Sequence, residues 1–428
     1  MVLDQFVRAS AALLASTALV TAQDPPAGAS NPPENVDEPH GTMLERLSSG
    51  AIRSLDENGN LVDWSAGKAK SAAAVALDSR VGSEIRLGDD PAALPLNLRA
   101  QAEPHIARSP VDPDFLVATF QEGRFTDGSA VNCGYSVSRD GGLTWTRALI
   151  PGLTASSGGP YPRVTDPVAA IGLNGYAYLN TLAAGSATRL GDILVNRSTD
   201  GGATFGPPVI AYRAPSVNVF PDKNWIAVNT FANTATAGRI VVTFTAFPAP
   251  GQEGTTPIMR VYSDDSGLTW SPAAFVHAAT TNAQSSLPVF LPDGKLAIVY
   301  WNFNVLSNSL DDFMEVVVSN NGGNAFGTPM PVQTVIPWNH PQIRDGFSTP
   351  SAAADRVNGN LYVAYQAILN HMPRIVFTRS ADAGATWSTP IAVSDNPEGS
   401  GVFNAAINSS HDGQTLTVVY YRNRDNAG

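Results

Sequence analysis

Short apolar runs alternate with clusters of glycine, proline, asparagine and aspartate along most of the chain. The runs are rich in β-branched and aromatic residues, as at 116–120, 240–244, 296–300 and 361–365. Short runs of this composition, bounded by turn-forming residues, predict β-strands joined by tight connections. The pattern therefore predicts an all-β fold made of many short strands.

One eight-residue pattern, Ser-x-Asp-x-Gly-x-Thr-Trp, recurs five times. The copies begin at Ser138, Ser198, Ser263, Ser319 and Ser380, at spacings of 60, 65, 56 and 61 residues, and the fourth copy is degenerate. The aspartate can accept backbone N–H bonds within its own turn, and the glycine supplies a positive φ. We expect the final aromatic residue to pack between neighbouring sheets. Each copy therefore predicts a structural hairpin turn without a catalytic role.

A second hairpin motif, a short apolar strand followed by a strand that ends in aromatic residues, recurs between these turns. Its six copies are 104–107 with 116–120, 167–170 with 176–179, 225–228 with 240–244, 287–290 with 296–300, 351–354 with 361–365, and 404–407 with 416–420. With the strands beside each eight-residue turn, every repeat has four strands. Such sheets, repeated radially, form a β-propeller and hide their edges. The sequence predicts a six-bladed propeller over 51–428, in which 81–87 closes the sixth blade and 52–64 is the candidate for its third strand.

Composition narrows the range of partners and cofactors. The chain has 428 residues, a hydrophobic content of 43% and a net charge of −11. Nucleic acids and anionic membranes bind basic surfaces, so we expect neither as a partner. We also expect the protein to be a monomer. The single cysteine, Cys133, excludes an internal disulfide and is interpreted as a buried apolar residue. No cofactor is expected, and Asp311 with Asp312 is the candidate pair for calcium.

The N-terminus has the pattern of an export signal. Arg8 precedes the apolar run 11–20, and small residues at 20–22 offer a cleavage site. The following residues, 23–50, are rich in proline, asparagine and glutamate, which is typical of a disordered linker. We therefore expect residues 1–22 to be a signal peptide and the mature protein to be secreted.

The eight-residue pattern resembles the Asp-box, or bacterial neuraminidase repeat, of sialidases and of several non-enzymatic propellers, over roughly residues 100–425. The sequence Glu122-Gly123-Arg124 resembles a sialidase motif that follows the second strand of the first blade. This resemblance implies that Arg124 is a pocket arginine and that Asp127 is an acid/base residue. Sialidases also carry Arg-Ile-Pro on the first inner strand, whereas residues 103–107 contain no arginine. No tyrosine nucleophile with a partner glutamate is identified either.

Blade topology predicts where chemistry would lie. The loops that enter each inner strand and those that leave each second strand emerge on the face opposite the eight-residue turns, around the mouth of the channel. The catalytic candidates at this mouth are Asp127, Glu122 and Glu103. The candidates for substrate binding are Arg124, Arg163, Asp166, Asp222, Lys223, Arg344 and Asp345.

The resemblance and the charged mouth together favour a secreted, sialidase-like glycoside hydrolase that acts on terminal, acidic sugars. Arginine forks bind carboxylates, and paired carboxyl groups supply a general acid and base. One alternative is a non-catalytic propeller that binds a glycan or a protein, which the missing Arg-Ile-Pro favours. Another is a polysaccharide lyase with His371 or His105 as its base. The fold cannot choose between them, because one scaffold hosts many functions.

Overall fold

The computed structural model describes residues 85–88, 100–125, 128–186, 189–216, 218–248, 254–303, 312–335, 349–369, 372–394 and 401–422. These residues form 22 strands and one short 3₁₀ helix, Ala155–Ser157, which confirms the predicted all-β class. No helix in them is both long enough and apolar enough to cross a membrane. The predicted signal peptide and linker lie outside the described residues.

The strands form antiparallel sheets in which neighbours in sequence pair. The first sheet contains β1 (Gln101–Arg108), β2 (Leu116–Arg124), β3 (Ala130–Ser138) and β4 (Thr146–Leu149). The second contains β5 (Val164–Ile171), β6 (Ala177–Ser186), β7 (Arg189–Ser198) and β8 (Val209–Arg213), and one residue pair, Ala130 with Val164, joins it to the first. The third contains β9 (Val219–Val228), β10 (Ile240–Pro248), β11 (Ile258–Ser263) and β12 (Ala274–Phe275).

The fourth sheet contains β13 (Ala283–Phe290), β14 (Leu296–Asn302), β15 (Asp312–Ser319) and β16 (Met330–Val335). The fifth contains β17 (Ser351–Ala354), β18 (Leu361–Leu369), β19 (Met372–Ser380) and β20 (Ile391–Ala392). In the part of the chain that the structure describes, the sixth is a hairpin of β21 (Val402–Ser409) and β22 (Leu416–Arg422). The predicted four-strand repeat is therefore present in five sheets.

Successive sheets pack face to face through apolar clusters. The first strands of neighbouring sheets contact each other in order, β1 with β5, then β9, β13, β17 and β21, so these strands lie innermost. One cluster joins Val117 and Val137 of the first sheet to Leu179 and Leu194 of the second, and each later pair of sheets has a cluster of the same kind. Burial between blades, rather than within one sheet, therefore holds the fold together.

The eight-residue turns have the predicted internal hydrogen bonds. In the first turn, Asp140 accepts from the backbone N–H of Thr144 at 2.9 Å and from the Thr144 hydroxyl at 2.5 Å, while Gly142 donates to the Ser138 hydroxyl. These bonds from Thr144, and one from Ser138, lower the pKa of Asp140 to about 2. The fourth turn keeps the geometry because the amide oxygen of Asn321 replaces the carboxylate. The aspartates are therefore used within their own turns.

Two devices connect each turn to a neighbouring sheet. The final aromatic residue packs across the boundary, as Phe205 does against Tyr135 with ring centroids 4.7 Å apart. This contact confirms the predicted packing between sheets. An arginine also reaches the turn of the next sheet: Arg197 donates to the carbonyl of Ser266 at 3.1 Å, and Arg239 donates to that of Gly322 at 3.2 Å.

Part of the segment predicted to close the ring lies within the described residues. These residues, Ile85–Gly88, contact the first sheet. The Leu87 carbonyl accepts from Ser136 at 2.6 Å, and Gly88 lies against Gln101 and Glu122. A sixth blade in a closed ring would also pack on the first sheet, so these contacts do not test the predicted pairing of 81–87 with the sixth blade. How the ring closes stays a prediction, since residues 51–84 lie outside the described part.

We predict that Gly202→Ala destabilises the protein more than Gly175→Ala. Both glycines have a positive φ, +86° and +74°, but a Cβ at Gly202 would lie 2.9 Å from Val137, whereas none of its neighbours comes within 4 Å at Gly175. The backbone cost of about 1–2 kcal/mol is common to both variants, and overpacking adds about 1–3 kcal/mol at Gly202. Urea unfolding measures the difference. Equal losses would show that the turn does not pack tightly on the preceding sheet.

Candidate functional site

Five of the inner strands share an unusual backbone feature at the mouth. Their pairing with the second strand shifts register at the same place, and one non-glycine residue there has a left-handed φ. These residues are Glu103 (52°), Asp166 (49°), Lys223 (52°), Ser285 (58°) and Asn404 (51°). A non-glycine residue in this region costs roughly 1–3 kcal/mol, and such strain concentrates at functional sites. The repeated bulge therefore marks the mouth as the candidate site.

The bulges link successive sheets through their backbones. The N–H of Asp166 donates to Oε2 of Glu103 at 3.0 Å, and the N–H of Lys223 donates to Oδ2 of Asp166 at 3.1 Å. Each carboxylate thus accepts from the left-handed residue of the next sheet. The structure brings three predicted site residues, Glu103, Asp166 and Lys223, together in this way.

A buried amide joins these carboxyl groups to Arg124. The Gln121 side chain accepts from Nη1 of Arg124 at 2.6 Å, and its Nε2 donates to Glu103 and to the Thr165 hydroxyl, each at 2.7 Å. Arg124 Nη1 also lies 3.5 Å from Oε1 of Glu103. Arg124 is therefore at the mouth, as predicted, in a network that contains both carboxyl groups.

The two oxygens of Glu103 have different surroundings. Oε2 accepts from Gln121 and from the Asp166 N–H, and these two bonds use both in-plane lone pairs. The Thr165 hydroxyl lies 3.1 Å from that oxygen but 2.7 Å from Oδ1 of Asp166, so its single hydrogen is directed to Asp166. A proton on Glu103 therefore occupies Oε1, and the side chain is 30% exposed.

Glu103 holds its proton far more tightly than an ordinary glutamate. Burial, followed by the negative charge of Asp166, raises the pKa of Glu103 from 4.5 to about 8, against opposing effects of Arg124 and Lys223. Glu103 is therefore largely a neutral carboxylic acid at neutral pH, with its hydrogen on Oε1. That state suits a proton donor.

Aromatic rings from two blades lie next to this network, further along the inner strands β1 and β9. His105 and Trp225 meet edge to face with centroids 5.0 Å apart, and Nζ of Lys223 lies 5.1 Å from the Trp225 ring centroid. Burial lowers the pKa of His105 to about 4. Its Nδ1 accepts from the N–H of Ala169 at 3.2 Å, which requires a neutral ring. His105 is thus a packed, neutral residue below the mouth.

Three other predicted residues have different environments. Glu122 is buried on the opposite face of β2 from Gln121, where it accepts from Gln101 at 2.9 Å. Asp222 was predicted to bind substrate. It is fully buried and accepts from Gln284 of the next sheet, so it lies between blades. Arg163 stacks on Phe125 at 4.0 Å and donates to the carbonyl of Gly128 at 3.3 Å.

Several predicted residues lie outside the described part of the chain: Asp127, Arg344, Asp345, His371 and Asp311. Asp312, the other calcium candidate, is fully buried and accepts from the indole of Trp301 at 2.9 Å. Among the described residues, no group of three His, Cys, Asp or Glu side chains is placed to hold a metal ion. Cys133 is buried, as predicted.

Gln121 and Thr165 were not among the predicted site residues, although both adjoin predicted residues. Each is a polar residue within a buried strand, and buried polar groups require partners. That signal was present in the run 116–121, where a glutamine follows an apolar strand.

Comparison with solved structures identifies the fold. An α-L-arabinofuranosidase of Fusarium graminearum, solved with an iminosugar inhibitor, is similar with a TM-score of 0.52 and 13% identity over 78% of this chain and 91% of that one. NanB sialidase of Streptococcus pneumoniae is similar with a TM-score of 0.50 and 10% identity over 75% and 65%. The chain has the sialidase-like β-propeller fold.

A Hadza microbial sialidase is also similar, with a TM-score of 0.49 and 15% identity over 75% of this chain and 63% of that one. This propeller therefore spans less than two thirds of the length of both sialidases. No protein-family model and no curated protein matches the sequence.

We predict that Glu103→Gln changes how stability depends on pH. Because the folded-state pKa of about 8 exceeds the ordinary 4.5, the folded protein binds the proton more tightly than the unfolded chain between these values. The wild-type free energy of unfolding therefore falls as pH rises through this window, and glutamine removes that fall. Urea unfolding at pH 5 and pH 8 should show the variant gaining stability relative to wild type at pH 8. A constant difference would contradict the raised pKa.

Proposed function

We propose that the chain is a glycoside hydrolase that removes terminal sugars from glycans at the mouth of the propeller. The observation that carries this proposal is the placement of Glu103 at the mouth, where two donors occupy Oε2, Oε1 lies 3.5 Å from Arg124, and burial raises the pKa of the carboxyl group to about 8. The fold supports it, since the proteins with similar structures include an arabinofuranosidase and sialidases.

In the proposed reaction, Glu103 is the general acid. Its Oε1–H would protonate the glycosidic oxygen as the bond to the sugar breaks, which prevents an alkoxide from leaving. The nearby negative charge of Asp166 would favour the positive charge that develops on the sugar ring. Asp127 stays the proposed second acid/base residue.

The number of blades, the cellular location and the kind of sugar are proposed from the sequence pattern. We propose a ring of six blades, export from the cell by the N-terminal signal, and an acidic terminal sugar as substrate. Arg124 and Arg163 would contact its carboxylate, because arginine forks bind carboxylates. Arg344 and Asp345 stay proposed binding residues.

A propeller that binds a glycan without cleaving it is the second candidate. The observation in its favour is that Glu103 and Asp166 both accept backbone N–H bonds from the next sheet, a role that needs no chemistry. The two candidates differ in what Glu103→Gln does, since glutamine can accept the same bonds but cannot act as an acid.

We predict that the purified protein hydrolyses at least one member of a panel of fluorogenic glycosides that includes α-sialosides and α-L-arabinofuranosides. Glu103→Gln should lower kcat by about 10²–10⁴-fold, the usual contribution of a general acid. Asp293→Asn, in an exposed pair with Lys295, is the control and should leave kcat unchanged.

Two results of this assay would count against the hydrolase. Equal kcat for Glu103→Gln and wild type would remove Glu103 as the acid. If no glycoside in the panel is hydrolysed but a sugar binds in a titration, the binding propeller is favoured instead. Activity on sialosides alone would support the acidic-sugar proposal.

A further inference from the structure

The Gln121 amide lies between Arg124 and the two carboxyl groups of the mouth. It is fully buried on β2. Its oxygen accepts from Arg124 at 2.6 Å, while its nitrogen donates to Glu103 and to Thr165. A flipped amide would turn its NH₂ group towards the guanidinium, two donors facing each other. The partners therefore fix the orientation of the amide.

These contacts form a chain of hydrogen bonds in which each group donates to the next, from Arg124 to Asp166. The guanidinium donates to Gln121, the amide donates to the Thr165 hydroxyl, and the hydroxyl donates to Asp166 at 2.7 Å. Along this chain Arg124 is held 2.6 Å from an amide oxygen but 3.5 Å from Oε1 of Glu103. The second distance exceeds that of an ordinary N–H···O hydrogen bond. The amide thus engages the guanidinium ahead of the carboxyl group.

We propose that Gln121 is a positioning residue that holds Arg124 away from Glu103, so that Oε1 of Glu103 keeps a proton for transfer to a leaving group. This role rests on the proposed function, in which Glu103 is the general acid. Without the amide, Arg124 would close to a charge-assisted hydrogen bond of about 2.8 Å with Oε1. Such a bond favours the ionised carboxylate, which has no proton to donate.

Removing the amide has two opposing effects on the pKa of Glu103, and the larger effect decides whether that pKa rises or falls. Glu103 loses the donor Nε2, which by itself favours the protonated acid, and gains a closer guanidinium, which favours the anion. Both bonds to the ionised carboxylate are charge-assisted, but the guanidinium also carries a full positive charge that attracts the anion directly, so the second effect prevails. The other charges acting on Glu103, Asp166 on β5 and Lys223 on β9, are unchanged.

The fifth sheet offers a matched control. Gln366 is the sixth residue of β18, as Gln121 is of β2, and it is 1% exposed. Gln366→Met therefore removes an equally buried amide at the same register in a different blade. A change in Glu103 that came only from lost stability would appear in both variants.

The test follows the Glu103 carboxyl carbon by ¹³C NMR from pH 5 to 10 in the full chain, with the signal assigned by its absence in Glu103→Gln. Gln121→Met should lower the midpoint by about one pH unit or more, and Gln366→Met should leave it unchanged. In the double variant Gln121→Met/Arg124→Met the midpoint should return to the wild-type value or rise above it. Gln121→Leu serves the same comparison if the methionine variant does not fold.

An unchanged or raised midpoint in the Gln121 variant would overturn the proposal, as would an equal fall in the double variant. The basic limb of the pH–activity profile should move with the NMR midpoint. Because the NMR measurement needs no substrate, absence of hydrolysis would count against the proposed function and leave the role of Gln121 to be judged separately.

Discussion

The mouth of this propeller depends on one interaction, the hydrogen bond from the N–H of a left-handed residue to the carboxylate of the preceding sheet. It occurs from Asp166 to Glu103 and again from Lys223 to Asp166. The bond helps to offset the backbone strain at each bulge and fixes the register of neighbouring inner strands. It also brings two carboxyl groups from different blades to the same threonine hydroxyl. The acidic pair is therefore a product of how the blades pack.

The same contacts divide the roles of the two carboxyl groups. Burial and the nearby charge of Asp166 raise the pKa of Glu103, so Glu103 is the carboxyl group that keeps a proton. The donors on Oε2 then leave Oε1 for that proton. A propeller built only to bind a ligand would need the bonds between sheets but not a protonated carboxyl group on a side chain that is partly exposed. This difference is why the hydrolase is preferred to the binding protein.

Much of the architecture could be predicted from the sequence because it rests on local chemistry. The eight-residue turns are closed by residues within the turn, so Ser138, Asp140 and Thr144 are recognisable wherever the pattern occurs. The mouth could be located for a similar reason, since strand order alone places Glu103 and Asp166 at the same end of their sheets. Closure of the ring depends on contacts between distant segments, so the pairing of 81–87 with the sixth blade stays a prediction.

The details of the site could not be predicted, because they depend on which way neighbouring side chains point. Glu122 and Gln121 are adjacent, and alternation along β2 sends only Gln121 to the carboxyl pair. Asp222 and Lys223 are adjacent too, and Asp222 is buried against the fourth sheet. The left-handed positions have no common residue type, being Glu, Asp, Lys, Ser and Asn, so they become visible only when the strands are aligned in space.

A neutron diffraction structure of deuterated crystals at pH 6 would test the central claim most directly, because it locates the hydrogens of the mouth. The hydrogen-bond network predicts deuterium on Oε1 of Glu103, a Thr165 hydroxyl directed at Asp166, and no deuterium on the Asp166 carboxylate. Deuterium on Oε2 of Glu103 or on Asp166, or a fully ionised Glu103, would contradict it.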